Sequence, residues 1–209
     1  MVLSTHVKLA PFAAKLRRGY LRDYTERDLA VHLETALRGV ILADRWPKSG
    51  IDVIVTVLEG EEDCWWGRDA GLSSIGSVGD GASGMMSILS GCITVASAAI
   101  VDAGIDCIDL VTGGVAALVR KQQSNDGQDK EAEIVLDPSP SEHQDIVATC
   151  VVGYLKSFDE LTLVWMKGAA TVSGDQGKSG VSPLIDGAVQ AAASAQKVLV
   201  ESINEAIQP

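Results

Sequence analysis

The sequence predicts a mixed α/β (α+β) fold, with sheets packed on central helices in a single domain spanning 1–209. Three observations carry that prediction. Hydrophobic periodicity switches along the chain in the order helix, strand, loop, helix, a group of strands, and helix, which fits sheets covered by helices and not a doubly wound parallel sheet. An uncharged window between Asp80 and Asp102 supplies a central apolar element. Apolar residues make up 46% and charged residues 22% of 209 residues, enough for a sizeable core and too apolar for global disorder.

The first helix is predicted over Thr25–Asp44. Leu29, Leu33, Ala36, Leu37, Val40 and Ile41 recur at spacings of three and four. Thr25 is placed to cap it, and Glu26 and Asp28 to complement the dipole of its first turn. Pro47 and Gly50 punctuate the chain, and Ile51–Leu58, rich in β-branched residues and apolar on both faces, reads as a buried central strand. Residues 60–84, with glycines at 67, 71, 76, 79, 81 and 84, read as a long inserted surface loop.

Ser90–Ala103 reads as a helix stopped by Gly104. Ile105–Thr112 and Val115–Val119 read as short strands turning at Gly113-Gly114, and the polar stretch 122–133 as a second loop. Ile134–Leu136, Ile146–Leu155 and Leu161–Lys167 follow as strands, the last two joined by a tight connection near Ser157–Asp159. Ser182-Pro183 opens a long terminal helix, with proline at its first helical position.

The central stretch Ser83–Ile105 poses three alternatives: a membrane span, a phosphate site or a core helix. Ser83, Gly84, Ser87, Ser90, Gly91, Thr94 and Ser97 interrupt its apolar character, an acidic residue closes each side, and no basic flank marks a cytoplasmic end. A Walker-type loop would need a lysine, and none lies between Gly76 and Gly104. Small residues at helical spacing point to a helix packed closely inside the protein, and no membrane partner is expected.

Net charge is −11, unfavourable for a chain holding nucleic acid alone. The asymmetry matters: residues 1–48 carry nine basic against five acidic side chains, and the remainder eight against 23. The basic end suits RNA contact if partners complete a groove. Cys64, Cys92, Cys107 and Cys150 lack metal-ligand spacing and read as free thiols of a reducing compartment. The N-terminus has no basic segment followed by an apolar run, so no signal peptide is read and an intracellular protein is expected. No metal and no cofactor is expected.

Several segments together resemble the RNase PH-like family, most of all ring subunits of the eukaryotic RNA exosome of the mRNA transport regulator type. Trp46-Pro47-Lys48-Ser49, the valine-rich strand after it and Val101-Asp102-Ala103-Gly104-Ile105 carry the resemblance, with Glu133–Leu155 and Glu160–Gly168 resembling later strands, so that it covers residues 3–205. It implies a fold like domain 2 of ribosomal protein S5. It also implies a strand-rich segment of several dozen residues before His6–Phe12, so the chain is expected to lack those first strands and to show unpaired edges and an uncovered apolar face.

Active phosphorolytic relatives have a Gly-Thr-Arg-Thr-type segment at the start of the central helix, whose arginine and hydroxyls hold phosphate. Here Ser87-Ile88-Leu89-Ser90 stands there, with Leu89 against the arginine. Thr149-Cys150 stands where active relatives carry Asp-Met, whose aspartate serves metal-assisted catalysis. Leu89 and Thr149 are thus degenerate positions, and no catalytic residue is assigned. Asp137, Glu142 and Asp145 lie nearby and read as acids of a solvated loop.

The resemblance implies a non-catalytic subunit of a six-membered exosome ring. Its partners would be other RNase PH-like subunits and cap proteins, with RNA in the assembled channel, in nucleus, nucleolus and cytoplasm. Lys15, Arg17, Arg18 and Arg22 are the candidate RNA contacts, the alternative being a solvated basic face. The enzyme alternative, a phosphate-dependent 3′-exoribonuclease, would need another anion site, for which Arg68 is the nearby cation.

Overall fold

The computed structural model describes residues 1–13, 24–60, 82–120, 132–139, 142–143, 146–168 and 180–207. Its ordered elements are β1 (Val2–Leu9), α1 (Tyr24–Arg38), β2 (Gly50–Val57), α2 (Ala82–Asp102), β3 (Val111–Arg120), β4 (Ala132–Leu136), β5 (Ile146–Leu155), β6 (Glu160–Gly168) and α3 (Val181–Ile207), with one 3-10 turn at Ala43–Arg45. The four later strands form an antiparallel sheet ordered β4-β3-β5-β6, and β1 and β2 form a separate parallel pair. The mixed α/β class expected from the sequence holds.

The four-stranded sheet is covered on both faces, and the period-two alternation of its side chains sorts them into two cores. Val111, Val115, Val151, Leu155 and Leu163 join a core built with α1, α2, β1 and β2. Their neighbours Ala116, Leu118, Ala148, Cys150, Val152 and Tyr154 pack against Leu184, Ala188 and Ala192 of α3. Burial on both sides explains why β3 and β5 read as almost unbroken apolar runs, as β-strands do when neither face meets water.

Gly113 and Gly114 do not form a turn. They lie within the continuous strand β3, opposite Gly153 and Val152 of β5. A Cβ on Gly113 would stand 2.3 Å from the Ser90 carbonyl oxygen of α2, and one on Gly114 would stand 2.2 Å from the Ala188 carbonyl oxygen of α3. Glycine is required here because two helix backbones approach the strand from opposite sides. Ile105–Leu110, expected as strand, is irregular apart from a single bridge between Ile41 and Cys107.

α1 ends at Arg38, six residues before the expected Asp44, and begins at Tyr24, so Thr25 lies inside its first turn. Val40 and Ile41 stay buried after the chain leaves the helix. They do so because Leu42 N–H donates to Asp106 C=O and Ile108 N–H to Val40 C=O, at 3.0 and 2.9 Å. The apolar stripe therefore outlasts the helix that it suggests. Glu26, in the first turn, accepts the Leu9 N–H at 3.0 Å, and Thr5 Oγ1 donates to Ala30 C=O at 2.7 Å, fixing α1 on β1.

β2 is not a buried central strand. It pairs only with β1 among the described residues; Val53 is buried, whereas Ile54 is 64% exposed. α2 begins at Ala82, eight residues before the expected start, and so takes in the end of the presumed 60–84 loop. Its end matches expectation: Gly104 has φ +70°, Gly104 N–H donates to Val101 C=O and Ile105 N–H to Ile100 C=O, the paired bonds of a Schellman stop. Ala132 and Glu133, expected in the polar loop 122–133, belong to β4. Residues 61–81 and 121–131 lie outside the described residues. Strand β5 has the expected bounds, β6 is one residue longer at each end, and α3 starts one residue before Ser182.

Candidate functional site

The stretch that raised the phosphate question is the N-terminal half of α2. Further along the same helix, Thr94 and Ser97 turn their hydroxyls to the sheet. Thr94 Oγ1 accepts the Gly113 N–H at 3.0 Å and donates to Ser90 C=O at 3.1 Å; Ser97 Oγ accepts the Val111 N–H at 3.0 Å. Ser90, Thr94 and Ser97 thus form a small-residue seam on which β3 sits, and the hydroxyls of Thr94 and Ser97 satisfy strand amides that would otherwise be buried without partners. By length and composition Met85–Asp102 could cross a bilayer. In this fold Met86, Leu89, Ile93 and Ala96 are buried in the core shared with α1 and the sheet.

Leu89, set by the family resemblance against an arginine, is 0% exposed in the core shared with α1, and no charged side chain is buried among the described residues. Thr149, the other degenerate position, is buried in β5 between Ala117 of β3 and Lys167 of β6. Two residues along, Val151 belongs to the α2-side core, so alternation turns Thr149 to the side of the sheet that Leu89 packs on. Asp137, at φ +48°, donates its N–H to Val115 C=O at 2.9 Å, and the Glu142 N–H donates to Ser139 C=O at 3.1 Å. Among the described residues no three His, Cys, Asp or Glu side chains gather as metal ligands. Lys15, Arg17, Arg18, Arg22, Arg68 and Asp145 lie outside the described residues.

Among the described residues, the three cysteines Cys92, Cys107 and Cys150 offer no activated thiolate. Burial pushes the thiols of Cys92 and Cys150 up to about 11, and burial followed by the charge of Asp106 raises that of Cys107. These three are free thiols in the structure.

Two features were not read from the sequence. The first is a groove of about 430 Å³ between the end of β2 and α2, with Val55, Val57, Ile88, Gly91, Cys92 and Val95 among its walls. The helical spacing of Ser87, Ile88, Gly91 and Val95 is visible in the sequence, but the strand that forms the other wall is not. The second is a stack of His32 on Trp165, ring centroids 4.3 Å apart and planes inclined by 22°, with Lys167 Nζ 4.9 Å from the Trp165 ring. It joins α1 to the edge strand β6. Burial lowers the His32 pKa, with Asp28 raising it and Lys167 lowering it further.

With this geometry in place, the profile of the 3′ exoribonuclease family, domain 1, matches residues 1–106. The chain belongs to the RNase PH family of 3′ exoribonucleases. Over 207 residues this RNase PH-family chain is 53% identical to the exosome complex component MTR3 of Chaetomium thermophilum, a match covering 99% of this chain and 67% of that protein. It is 30% identical to the exosome complex component mtr3 of Schizosaccharomyces pombe, over 82% of this chain and 55% of that protein. The chain therefore spans between about half and two thirds of the length of these relatives. The RNase PH fold is matched again in the crystal structure of rice (Oryza sativa) Rrp46, with a TM-score of 0.65 at 16% identity, over 97% of this chain and 73% of that one.

Proposed function

We propose that this chain is a non-catalytic structural subunit of the RNA exosome core ring, folded as one RNase PH-like domain. It supports 3′-to-5′ processing and degradation of ribosomal, messenger and small RNAs by scaffolding and by lining a channel, with cleavage done by associated nucleases. The 53% identity to an exosome component over nearly the whole chain supports the assembly. The burial of Leu89 carries the argument against catalysis. A phosphoryl-transfer site needs a cation aimed at the attacking phosphate. Here the position compared with that cation is an aliphatic side chain inside the core, and the position compared with the aspartate is the buried, uncharged Thr149.

The partners in this reading are other RNase PH-like ring subunits and cap proteins, and the chain works in nucleus, nucleolus and cytoplasm. Lys15, Arg17, Arg18 and Arg22 contact phosphates of RNA in the channel. The test is a ring reconstituted with this chain and its RNase PH-like partners but without hydrolytic nucleases. Incubated with single-stranded RNA and inorganic phosphate, a ring whose other subunits are inactive should bind RNA and release no nucleoside diphosphate. Diphosphate release that depends on this chain would establish the phosphate-dependent exoribonuclease instead. Charge reversal at Arg17, Arg18 and Arg22 should weaken RNA binding and flatten its salt dependence; an unchanged slope removes these residues from the channel.

A further inference from the structure

We propose that Ser157, in the turn between β5 and β6, is a phosphorylation site for a serine/threonine kinase that selects its acceptor by the carboxylates following it, and that the phosphate undocks this turn from the loop after α2. Such a site goes beyond the ring assignment and does not depend on it. Residues 156–161 are exposed without interruption, and Phe158 beside the acceptor is 54% exposed. Six described hydroxyl residues have an acid three positions on: Thr25, Ser49, Thr56, Ser139, Ser157 and Ser202. Ser157 alone among them has one at the second position as well, with Asp159 and Glu160 in succession. Its hydroxyl has no hydrogen-bond partner among the described residues, whereas that of Ser202 donates to Leu199 C=O at 2.8 Å within α3.

The step transfers the γ-phosphoryl group of ATP. Ser157 Oγ bonds to the γ-phosphorus, the bond from that phosphorus to the bridging oxygen breaks with its electron pair leaving on ADP, and the hydroxyl proton passes to the base of the kinase. The group left on the serine carries a charge of about −1.5 to −2. It arrives where carboxylates already stand. Asp109, in the loop after α2, accepts the Ser157 N–H through Oδ2 at 3.0 Å and the Leu110 N–H through Oδ1 at 2.7 Å. Asp159 Oδ1 accepts the Tyr154 hydroxyl at 2.8 Å, which holds a second carboxylate at the turn. Lys156 is the one basic side chain in residues 152–166. A phosphate on the residue whose N–H binds Asp109 repels that carboxylate and competes for the same N–H, so the tie opens. The loop stays held to the segment after α1, through the Ile41–Cys107 bridge and the Ile108 N–H bond to Val40 C=O. The turn therefore parts from a loop that keeps its place.

The experiment incubates the folded full chain with casein kinase 2, an enzyme that reads acids after its acceptor, and magnesium-ATP. Fragment mass spectra should place a phosphate on Ser157, and Ser157→Ala should remove it. Glu160→Gln, on the exposed turn, should slow its incorporation roughly tenfold or more. The phosphorylated chain should melt roughly 2–4 °C below the unmodified one in a domain of this length. Asp109→Asn should at least halve that difference by removing the repelled charge. Raising sodium chloride from about 0.05 to about 0.5 M should shrink it in the wild-type chain, which keeps the test intact if Asp109→Asn does not fold. A folded chain that takes no phosphate at Ser157 overturns the proposal, as does a rate that Glu160→Gln leaves unchanged. A phosphorylated chain that melts with the unmodified one, or a difference that salt does not reduce, refutes the undocking.

Discussion

Replacing Leu89 with arginine restores the charge that the phosphate-binding relatives carry, and the fold should reject it. Leu89 is 0% exposed in the hydrophobic core, and no Asp, Glu, Lys or Arg is buried among the described residues. Truncation to alanine removes a buried leucine side chain and leaves a cavity, at a cost of about 3–4 kcal/mol. Arginine loses the same packing and adds a buried charge without a partner, itself worth roughly 3–5 kcal/mol. The sum, on the order of 6–9 kcal/mol, is comparable to the entire stability of an ordinary domain, about 5–15 kcal/mol. Leu89→Met, close to leucine in volume, should cost less than about 1.5 kcal/mol. Urea unfolding followed by circular dichroism measures the series, and the midpoints should fall in the order wild type, Met, Ala, Arg, with Arg largely unfolded in buffer. An arginine variant as stable as the alanine variant would show that the side chain reaches solvent or an anion. The position would then be a site and not core, and the case against catalysis would lose its main support.

Gly113→Ala and Gly114→Ala should each cost 3 kcal/mol or more by thermal melting, beyond the usual ~1–3 kcal/mol of overpacking, because both clashes are with helix backbone and not with a movable side chain. By contrast Gly91→Ala, in open space on α2, should raise stability by about 0.5–1 kcal/mol through helix propensity. The fold favours neutral His32, since burial, its largest influence, lowers the pKa below the ordinary 6.5. Its contribution is complete above that value and is lost as pH falls through it. His32→Gln should remove that part of the acid-side decline in melting temperature, and an NMR titration of His32 should show a midpoint below 6.5. Iodoacetamide at pH 7.5 should alkylate Cys92 and Cys150 only after denaturant is added, as intact-mass spectrometry would show, because both thiols are pushed up to about 11 and buried.

Much of the fold was legible from patterning because its burial follows periodicity. β5 was readable residue by residue since both its faces are covered, and Gly104 was readable as a helix stop since its left-handed φ has a local cause. The errors arise where tertiary contacts override a local signal. A pair of glycines ordinarily marks a turn, but at Gly113-Gly114 it marks close approach by two helices, which no local rule encodes. The serines and glycine before Ser90 looked like loop, yet they form the first two turns of α2. An apolar run such as Ile51–Leu58 shows that something can cover a strand without saying what does; here Ile54 and Leu58 face solvent. At the candidate site, Leu89 could be singled out by family likeness and its core position by spacing. The groove could not, because its walls come from β2 and α2, brought together only by folding.

The adjacency of Gly113 and Gly114 has a mechanical consequence. Consecutive residues of a strand point to opposite faces, so two neighbouring contacts pin α2 and α3 to the same cross-section of the sheet. Neither helix can slide along the strand without driving its backbone into a residue that has a Cβ. Thr112, immediately before the pair, donates its hydroxyl to Ala192 C=O at 3.1 Å and locks the α3 side of the clamp. Any force applied at the outer face of α2 is therefore delivered, through one strand's width, to α3.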